Sequence, residues 1–565
     1  MTVGIDFGTS TSEIAYIDKN GKVAIVPNHL GEQITPSVVH LADDGAFVVG
    51  RDAKEKAIID PQNTFLEVKR LFGQDAELTA RGEEFSPVEI AAKIMRYLAD
   101  CAEKHAGEAV DAAVITVPAY FTDKQRRDVI AAGKAAGLKV ERIINEPTAA
   151  SLDYGVGHMR DCENILVYDL GGGTLDVTVL ELFEGVVDVK SSCGNSALGG
   201  KDFDQAIMDH ITGKIKKRDG VDITKDARAM MRVKSAAEQC KIALSFEKVY
   251  GLELPFLYSK GKEPEGYSQT MTRVEFEDMV HDKIYSTELQ IKTALADAGL
   301  TKGDINLALL VGGSTRIPLV KQFLYETFGF QPKAAVDPDL SVVRGAAIQA
   351  GVLSGTLGAD AIVLSDVCPH SLSTGILHRS ANGFSSIICD TLIKRNSTLP
   401  ASMSKIYSTV ADDQTIVHVS AYQGESLRPE DNYLLNTFVL SGIPKAKAGK
   451  EKISIQFEYD LNGILVVSAA ILSTGKSAKV TFDTEKDGVN LDLSAWKDSR
   501  NASQYRRVIS KADRLAKVHG SEKTKYLEAA AEKLKRALVL GWDDMLAEHY
   551  SRSLQNEIDL LEDEP

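Results

Sequence analysis

Cysteine is scarce in this 565-residue chain: six residues, at positions 101, 162, 193, 240, 368 and 389, with no Cys-x-x-Cys pair. That density cannot build a disulfide scaffold and fits a reducing compartment. Long apolar runs are missing too. No stretch reaches the roughly 18 residues of a membrane helix, and Met1-Thr2-Val3-Gly4-Ile5-Asp6 lacks the basic segment and apolar run of a secretory signal. A cytoplasmic protein with no membrane contact is expected. Positive charge is in deficit, with 65 Lys and Arg against 80 Asp and Glu and a net charge of −15. Nucleic acid is therefore not an expected partner, because binding it needs clustered cations. Two familiar nucleotide signatures are also absent. There is no G-x-x-x-x-G-K-[ST], and the glycine loops near the Asp residues run into strands instead of opening a helix as a dinucleotide loop would.

What is present reads as an ordinary globular protein, 44% apolar and 26% charged, and its length calls for about two to four units. Residues 1–357 alternate strand-like runs (Ala113 to Val117, Ile165 to Tyr168, Leu307 to Val311) with helical stretches (Asp128 to Leu138, Asp226 to Leu244), which is an α/β pattern. A linker is placed at 358–366. From 367 to 484 the pattern is antiparallel β, with alternation at Ile453, Ile455, Phe457 and Tyr459, a turn at Asn462-Gly463 and a return strand from Ile464 to Ser468. Residues 485–565 turn helical, with Leu527, Ala530, Ala531, Leu534 and Leu538 on one face.

A repeat lies inside the first region. Ile5-Asp6-Phe7-Gly8-Thr9-Ser10-Thr11 resembles Tyr168-Asp169-Leu170-Gly171-Gly172-Gly173-Thr174, and each copy continues into another apolar run, Ile14 to Ile17 and Val177 to Leu182. Two strand, Asp-x-Gly loop, strand units suggest similar lobes facing each other across a cleft. Glycine loops let backbone N–H groups approach phosphate oxygens, and Thr174 adds a hydroxyl. Asp6 and Asp169, at strand ends beside the loops, can hold Mg²⁺ that keeps most of its waters. An isolated Asp-x-Gly is more often a tight turn with a solvated Asp; the repetition favours a polyphosphate site. A third loop, Leu310-Val311-Gly312-Gly313-Ser314-Thr315-Arg316-Ile317-Pro318, can open a helix toward an α-phosphate or nucleoside. Glu238, Lys241 and Ser245 share a helix face and can border the nucleoside, or form a solvated face. For in-line attack on a γ-phosphate, Lys69 is the candidate cation, and Glu146 with Asp176 can orient water or hydrated metal. The alternatives are a surface pair, Lys69-Arg70, and a helix-start carboxylate before Pro147.

Together Ile5 to Ser10, Val117-Pro118-Ala119-Tyr120-Phe121, Ile144-Asn145-Glu146-Pro147-Thr148-Ala149-Ala150, Asp169 to Thr174 and Val311 to Arg316 resemble the DnaK-like family of seventy-kilodalton heat-shock chaperones, in order and in spacing. The resemblance runs from residue 3 to about 484 and fades in the tail. It implies a two-lobed, actin-like (ribonuclease H-like) α/β ATPase domain, a β-sandwich peptide-binding domain and a short helical lid. It further implies ATP/ADP, Mg²⁺ and K⁺ as cofactors, and unfolded polypeptide clients, a J-domain co-chaperone and a nucleotide exchange factor as partners of a monomer. Gly8, Thr9, Ser10 and Gly171 to Thr174 would bind phosphates. Glu238, Lys241, Ser245, Gly312, Gly313, Ser314, Arg316 and Asp339 would surround the nucleoside, and Asp6 and Asp169 would hold Mg²⁺ through water. Lys69, Glu146, Thr174 and Asp176 would organise hydrolysis. Pro118 and Arg126 would relay nucleotide state to the linker residues Ile362, Val363, Leu364 and Asp366; the alternatives are a loop proline and a surface arginine. Val417 and Val419 would line a peptide pocket, with Leu377, Tyr407 and Val410 over the peptide; each could equally be sandwich core.

Departures from the family pattern qualify this picture. Ser365 stands where a further Leu is usual, and Thr374 stands where an apolar pocket residue is usual. The stretch from Gly73 to Pro87 is short, which predicts a reduced peripheral subdomain and an altered exchange-factor contact. The tail, ending Leu560-Leu561-Glu562-Asp563-Glu564-Pro565, is short and lacks Glu-Glu-Val-Asp. Asp366-Val367-Cys368-Pro369-His370-Ser371-Leu372 is most similar to the HscC-like branch. Two other readings of the fold remain: a sugar kinase, against which the β-domain stands, and a non-hydrolysing adaptor, against which the retained Lys69, Glu146, Asp169, Thr174 and Asp176 stand.

Overall fold

The computed structural model describes residues 1–158, 162–334, 337–358, 363–379 and 385–481, and in the C-terminal segment two helices with scattered positions from 496 onward. The chain divides into two compact units. The first comprises Met1–Pro369 with Asn396–Leu399 and Leu461–Ile464, and the second comprises His370–Arg395, Pro400–Asp460 and Leu465–Pro565.

The first unit is built on two six-stranded sheets with one plan. In one, the order is Lys139–Asn145, Ala112–Val117, Thr2–Phe7, Thr11–Ile17, Val23–Ile25, with Thr35–Pro36 also on Thr11–Ile17. In the other it is Lys333–Ala334, Leu307–Val311, Cys162–Leu170, Leu175–Phe183, Val186–Asn195, Val363–Ser365. Each repeated motif is a hairpin, antiparallel across its glycine loop, whose first strand has a parallel neighbour on its other side. The sequence repeat is thus a repeat of topology. Buried strands such as Ala112–Val117 read as unbroken apolar runs because both faces are covered.

The helix Ser341–Leu353 owes its position to small residues. A side chain at Gly345 would meet the Ala149 carbonyl oxygen at 1.7 Å, and one at Gly4 would meet Ala347 N at 2.2 Å. Backbone therefore touches backbone where this helix crosses Glu146–Gly157 and the strand Thr2–Phe7, which fixes the strand end that carries Asp6 and the helix that starts at Glu146. The helix expected from Asp128 begins earlier, at Asp123, capped reciprocally by Thr122 and Gln125. Its charged opening, Asp-Lys-Gln-Arg-Arg, hides the period, although Arg126 and Arg127 are buried. The short stretch before Pro87 forms a small hairpin, Leu78–Ala80 with Glu83–Phe85. The linker residues, where described, form the strand Val363–Ser365, parallel to Val186–Asn195. Ile362 lies outside the described residues.

The second unit holds two four-stranded antiparallel sheets. One runs Ser385–Ile393, Leu372–Arg379, Ile416–Gln423, Tyr433–Ser441; the other runs Ala401–Ser408, Lys452–Tyr459, Leu465–Ile471, Ser477–Thr481. The alternation at Ile453, Ile455, Phe457 and Tyr459 marks the buried face of its strand. In the tail, Leu527, Ala530, Ala531, Leu534 and Leu538 join Trp496, Tyr505, Ile509 and Leu554 in one apolar cluster. Among the described residues no helix is long and apolar enough to cross a membrane, and none of the six cysteines is in a disulfide.

Replacing Gly345 by Ala is expected to destabilise the first unit by about 1–3 kcal/mol or more, because the obstructing atom is backbone. Gly213→Ala, mid-helix with nothing within 4 Å of the added carbon, should instead be neutral or stabilising by up to about 1 kcal/mol. Urea unfolding of the two variants checks the contrast.

Candidate functional site

Both hairpin loops open onto one cavity in the first unit. Its lining includes Asp6, Gly8, Thr9, Ser10, Lys69, Glu146, Asp169, Gly171, Gly172, Thr174, Gly312, Gly313 and Asp339. The repeat therefore produces two glycine loops facing one space, with the third glycine loop beside them. Close approach sets the geometry. A side chain at Gly172 would strike Ser10 Oγ at 2.3 Å, and one at Gly199 would strike Gly173 N at 2.5 Å. Gly312 adopts φ 81° and sits 2.5 Å, measured from an added Cβ, from the Leu170 carbonyl oxygen, a conformation and a spacing that favour glycine.

Lys69 is the central charge. Its side chain is 3% exposed, it donates to Glu146 Oε1 at 2.6 Å and to the Phe7 carbonyl, and Phe7 and Phe121 flank the ammonium, each ring centre 5.6 Å away. The surface-pair alternative for Lys69 does not hold. Glu146 does start a helix before Pro147, and it also faces the cavity.

Around this one ammonium stand several carboxylates. Burial, then the charge of Glu146, pushes Asp6 up to about 7, with Lys69 and a 2.6 Å hydrogen bond from Thr116 opposing. Burial, then Glu146, pushes Asp176 up to about 7 as well, against a hydrogen bond from Tyr120 N. Asp169 is driven well above the carboxylate range by burial and by Glu146, Asp176 and Asp6. Uncompensated negative charge of this kind calls for a cation. Asp6 and Asp169 offer hard oxygen donors, and two such carboxylates suit Mg²⁺ that retains waters, so the residues present fit that ion.

The structure also adds a residue that spacing did not suggest. Glu13, 2% exposed and opposite Asp6 across the hairpin, lines the same cavity. Its carboxyl is raised by burial and by Asp6. The available signal was weak, a Glu after Thr11 and Ser12 at the head of the apolar run Ile14 to Ile17 in the strand Thr11–Ile17.

The nucleoside candidates are less uniformly placed. Glu238, Lys241 and Ser245 all lie on the helix Ala227–Phe246. Glu238 pairs with Lys54 at 2.6 Å, Lys241 pairs with Asp204 at 2.9 Å, and Ser245 donates to the Lys241 carbonyl at 3.0 Å. None of the three lines the cavity just described, although Lys241 and Ser314 both come close to Gly200. Ser314 donates to the Gly171 carbonyl at 2.9 Å, and Arg316 forks onto Asp337 and Asp339.

Pro118 and Arg126 are both buried, so Arg126 is no surface arginine. It donates to the Ala119 carbonyl at 2.9 Å and to Asn145 Oδ1 at 2.8 Å, and Asn145 donates to Asp366 Oδ2 at 2.9 Å. One hydrogen-bonded chain thus joins the Pro118 segment to the end of the linker. Leu364 is half-buried against the core that includes Val187 and Val189.

In the second unit Val417 and Val419 share the strand Ile416–Gln423, half-buried and buried respectively. Leu377 is half-buried, and Val410 is exposed. Tyr407 donates to Asp390 Oδ2 at 2.8 Å. The departure at Thr374 is buried, its hydroxyl satisfied by the Ser420 carbonyl at 2.8 Å.

The raised carboxylates imply a pH dependence. A folded-state pKa above the unfolded value means that the native state binds the extra proton, so the contribution to stability falls as pH rises from about 4 to about 7. Without nucleotide or Mg²⁺, Asp176→Asn should stabilise the protein at pH 8 by at least about 1 kcal/mol, with the gain shrinking toward pH 5. Thermal unfolding across that range tests it, and a gain that does not depend on pH contradicts the electrostatic account.

Comparison with known proteins agrees with the geometry. The family description "Hsp70 protein" matches residues 2–564. A relative described as "Chaperone protein dnaK", from Cyanidioschyzon merolae (strain NIES-3377 / 10D), is 40% identical over 584 residues, covering 99% of this chain and 92% of that protein. With one family description spanning nearly every residue and a full-length relative at this identity, the chain belongs to the Hsp70 family.

Proposed function

We propose that this protein is an ATP-dependent molecular chaperone that binds and releases extended polypeptide through cycles of ATP hydrolysis. The observation that carries the reading is the buried ammonium of Lys69, fixed by Glu146 at 2.6 Å beside a cavity walled by two glycine loops. A loose phosphoryl transition state needs positive charge and positioning more than a strong base. Backbone N–H groups of Gly8 to Ser10 and Gly171 to Thr174 hold the phosphates. Lys69 faces the developing charge, and Glu146, Asp176 and the Thr174 hydroxyl orient the attacking water. Asp6 and Asp169 would hold Mg²⁺ through its waters, and the ion would supply positive charge against the phosphates. Gly312, Gly313, Ser314, Arg316 and Asp339, with Glu238, Lys241 and Ser245, surround the nucleoside, and K⁺ is a further expected cation.

In the same reading residues 1–357 are the two-lobed actin-like ATPase domain, 358–366 the linker, 367–484 the β-sandwich and 485–565 a shortened lid. The common plan of the two sheets supports the first assignment, and the two antiparallel sheets support the third. Nucleotide state passes through Pro118, Arg126, Asn145 and Asp366, a route supported by the hydrogen bonds that run from Ala119, next to Pro118, through Arg126 and Asn145 to Asp366. A J-domain protein stimulates the cycle, an exchange factor resets it, and the protein works as a cytoplasmic monomer of the HscC-like branch. Peptide lies against Val417 and Val419 under Leu377, Tyr407 and Val410, with Thr374 narrowing the preference for large apolar side chains.

Lys69→Ala is expected to lower single-turnover hydrolysis by about 100-fold or more while ATP affinity changes by less than about fivefold; equal losses contradict the role. Because coupling is reciprocal, an extended peptide should stimulate hydrolysis. Failure of both a peptide and a J-domain protein to change the rate overturns the chaperone cycle, whereas a phosphorylated small-molecule product would favour a sugar kinase.

A further inference from the structure

The segment that carries Lys69 is held in a way the hydrolysis mechanism does not use. Glu67, two residues earlier, is among the few non-glycine residues with positive φ, at 63°, where the strand Thr64–Leu66 turns into the short 3-10 helix Val68–Leu71. Its side chain receives two ammonium groups. Lys201 lies 2.8 Å from Oε2, and Lys234 bonds Oε1. The burial that would raise the Glu67 carboxyl is outweighed by these two lysines, which hold it below the usual range.

The two lysines come from elsewhere in the first unit. Val68 and Phe72 pack in the core of Val3, Ile5 and Phe7. Lys201 and Lys234 stand on helices whose buried residues, Phe203, Ile207, Val233 and Ala237, belong to the core of the second sheet. Lys201 is also bonded to the phosphate-loop backbone. Its N–H donates to the Gly172 carbonyl at 3.0 Å, and the Gly200 N–H donates to the Gly171 carbonyl at 2.9 Å. On the other side of Lys69, Arg70 donates to the Gly173 carbonyl at 2.9 Å and to Asp202 at 3.2 Å. Lys69 is therefore bracketed by two attachments to the same loop, and the Glu67 attachment forces a turn that an unassisted glutamate disfavours.

We propose that Glu67 is a positioning residue for Lys69: clasped by Lys201 and Lys234, it registers the lysine-bearing turn against the Gly171–Thr174 loop, so that the ammonium is delivered only when the two sheets are closed around the phosphates. The inference rests on the ATPase reading above. It predicts an effect on the chemical step and little on binding, because the loops that hold the phosphates are untouched.

The test uses the full chain with Glu67→Gln, which removes the charge at constant shape, Glu67→Gly, which frees the turn, Lys201→Met and Lys201→Arg. Single-turnover hydrolysis and equilibrium Mg-ATP affinity are measured, with thermal midpoints as a folding control. Glu67→Gln, Glu67→Gly and Lys201→Met should each slow hydrolysis by about 10- to 100-fold, the range expected for a displaced catalytic group, with affinity within about threefold of wild type. Lys201→Arg should retain most of the rate. Wild-type rates in Glu67→Gly would reduce Glu67 to a backbone role, and equal losses of rate and affinity would make it a binding residue; either overturns the inference, as do unimpaired Gln and Met variants. A wild-type chain that does not hydrolyse ATP overturns the ATPase reading itself, whereas a wild type that does, beside unimpaired variants, overturns this inference alone.

Discussion

The bond between Lys69 and Glu146 is the constraint around which the first unit is arranged. An ammonium buried to this degree is tolerable only where carboxylates and carbonyls repay its lost hydration. Here Glu146 and the Phe7 carbonyl do so. The reverse also holds. Asp6, Asp169, Asp176 and Glu13 are buried with too little positive charge among them, so their protons are held unusually tightly. That excess of negative charge is of the kind that a hydrated divalent cation at Asp6 and Asp169 would offset.

Such a concentration of charge requires strand ends placed within a few ångströms, and backbone contact provides that precision. The helix Ser341–Leu353 touches Ala149 through Gly345, and the strand of Asp6 touches the helix at Ala347 through Gly4. The loops meet in the same manner, Gly172 against Ser10 and Gly199 against Gly173. Side chains at these contacts would separate the groups that the chemistry needs together, since a packed core has no slack to absorb them. The turn that bears Lys69 is held by core contacts of Val68 and Phe72 and by the ion pairs of Glu67 and Arg70 as well.

From the cavity an ordered path leads outward. Glu146 follows Asn145 in sequence, and Asn145 is shared by Arg126 and Asp366. The residue that pairs with Lys69 is therefore next in the chain to the one that bonds Asp366. In the second unit, the buried hydroxyl of Thr374 is satisfied by the Ser420 carbonyl, so a polar residue at that place costs little in stability.

Much of this was legible in the sequence because it is local. Strand, Asp-x-Gly loop, strand is a short-range pattern, and its recurrence at Asp6 and Asp169 announced two equivalent hairpins; alternation at Ile453 to Tyr459 announced an antiparallel sheet. The helix starting at Asp123 is less legible, because its opening Asp-Lys-Gln-Arg-Arg has the composition of a solvated turn, while in the fold Arg126 and Arg127 are buried on Ala119, Asn145 and Asp123. Glu13 was missed for a similar reason: a glutamate in a strand reads as solvent-facing until the opposite strand and the roof of the cavity are known. The sequence by itself determined which loops can take phosphate and which residues are chemically fit for the work. Only the tertiary structure decided that Lys69 is buried and not a surface cation, that Glu238 and Lys241 spend their charges on Lys54 and Asp204, and that Glu67 faces two lysines. Charge is a property of a residue, whereas the partner that neutralises it is set by packing between segments that lie from 37 to 184 positions apart.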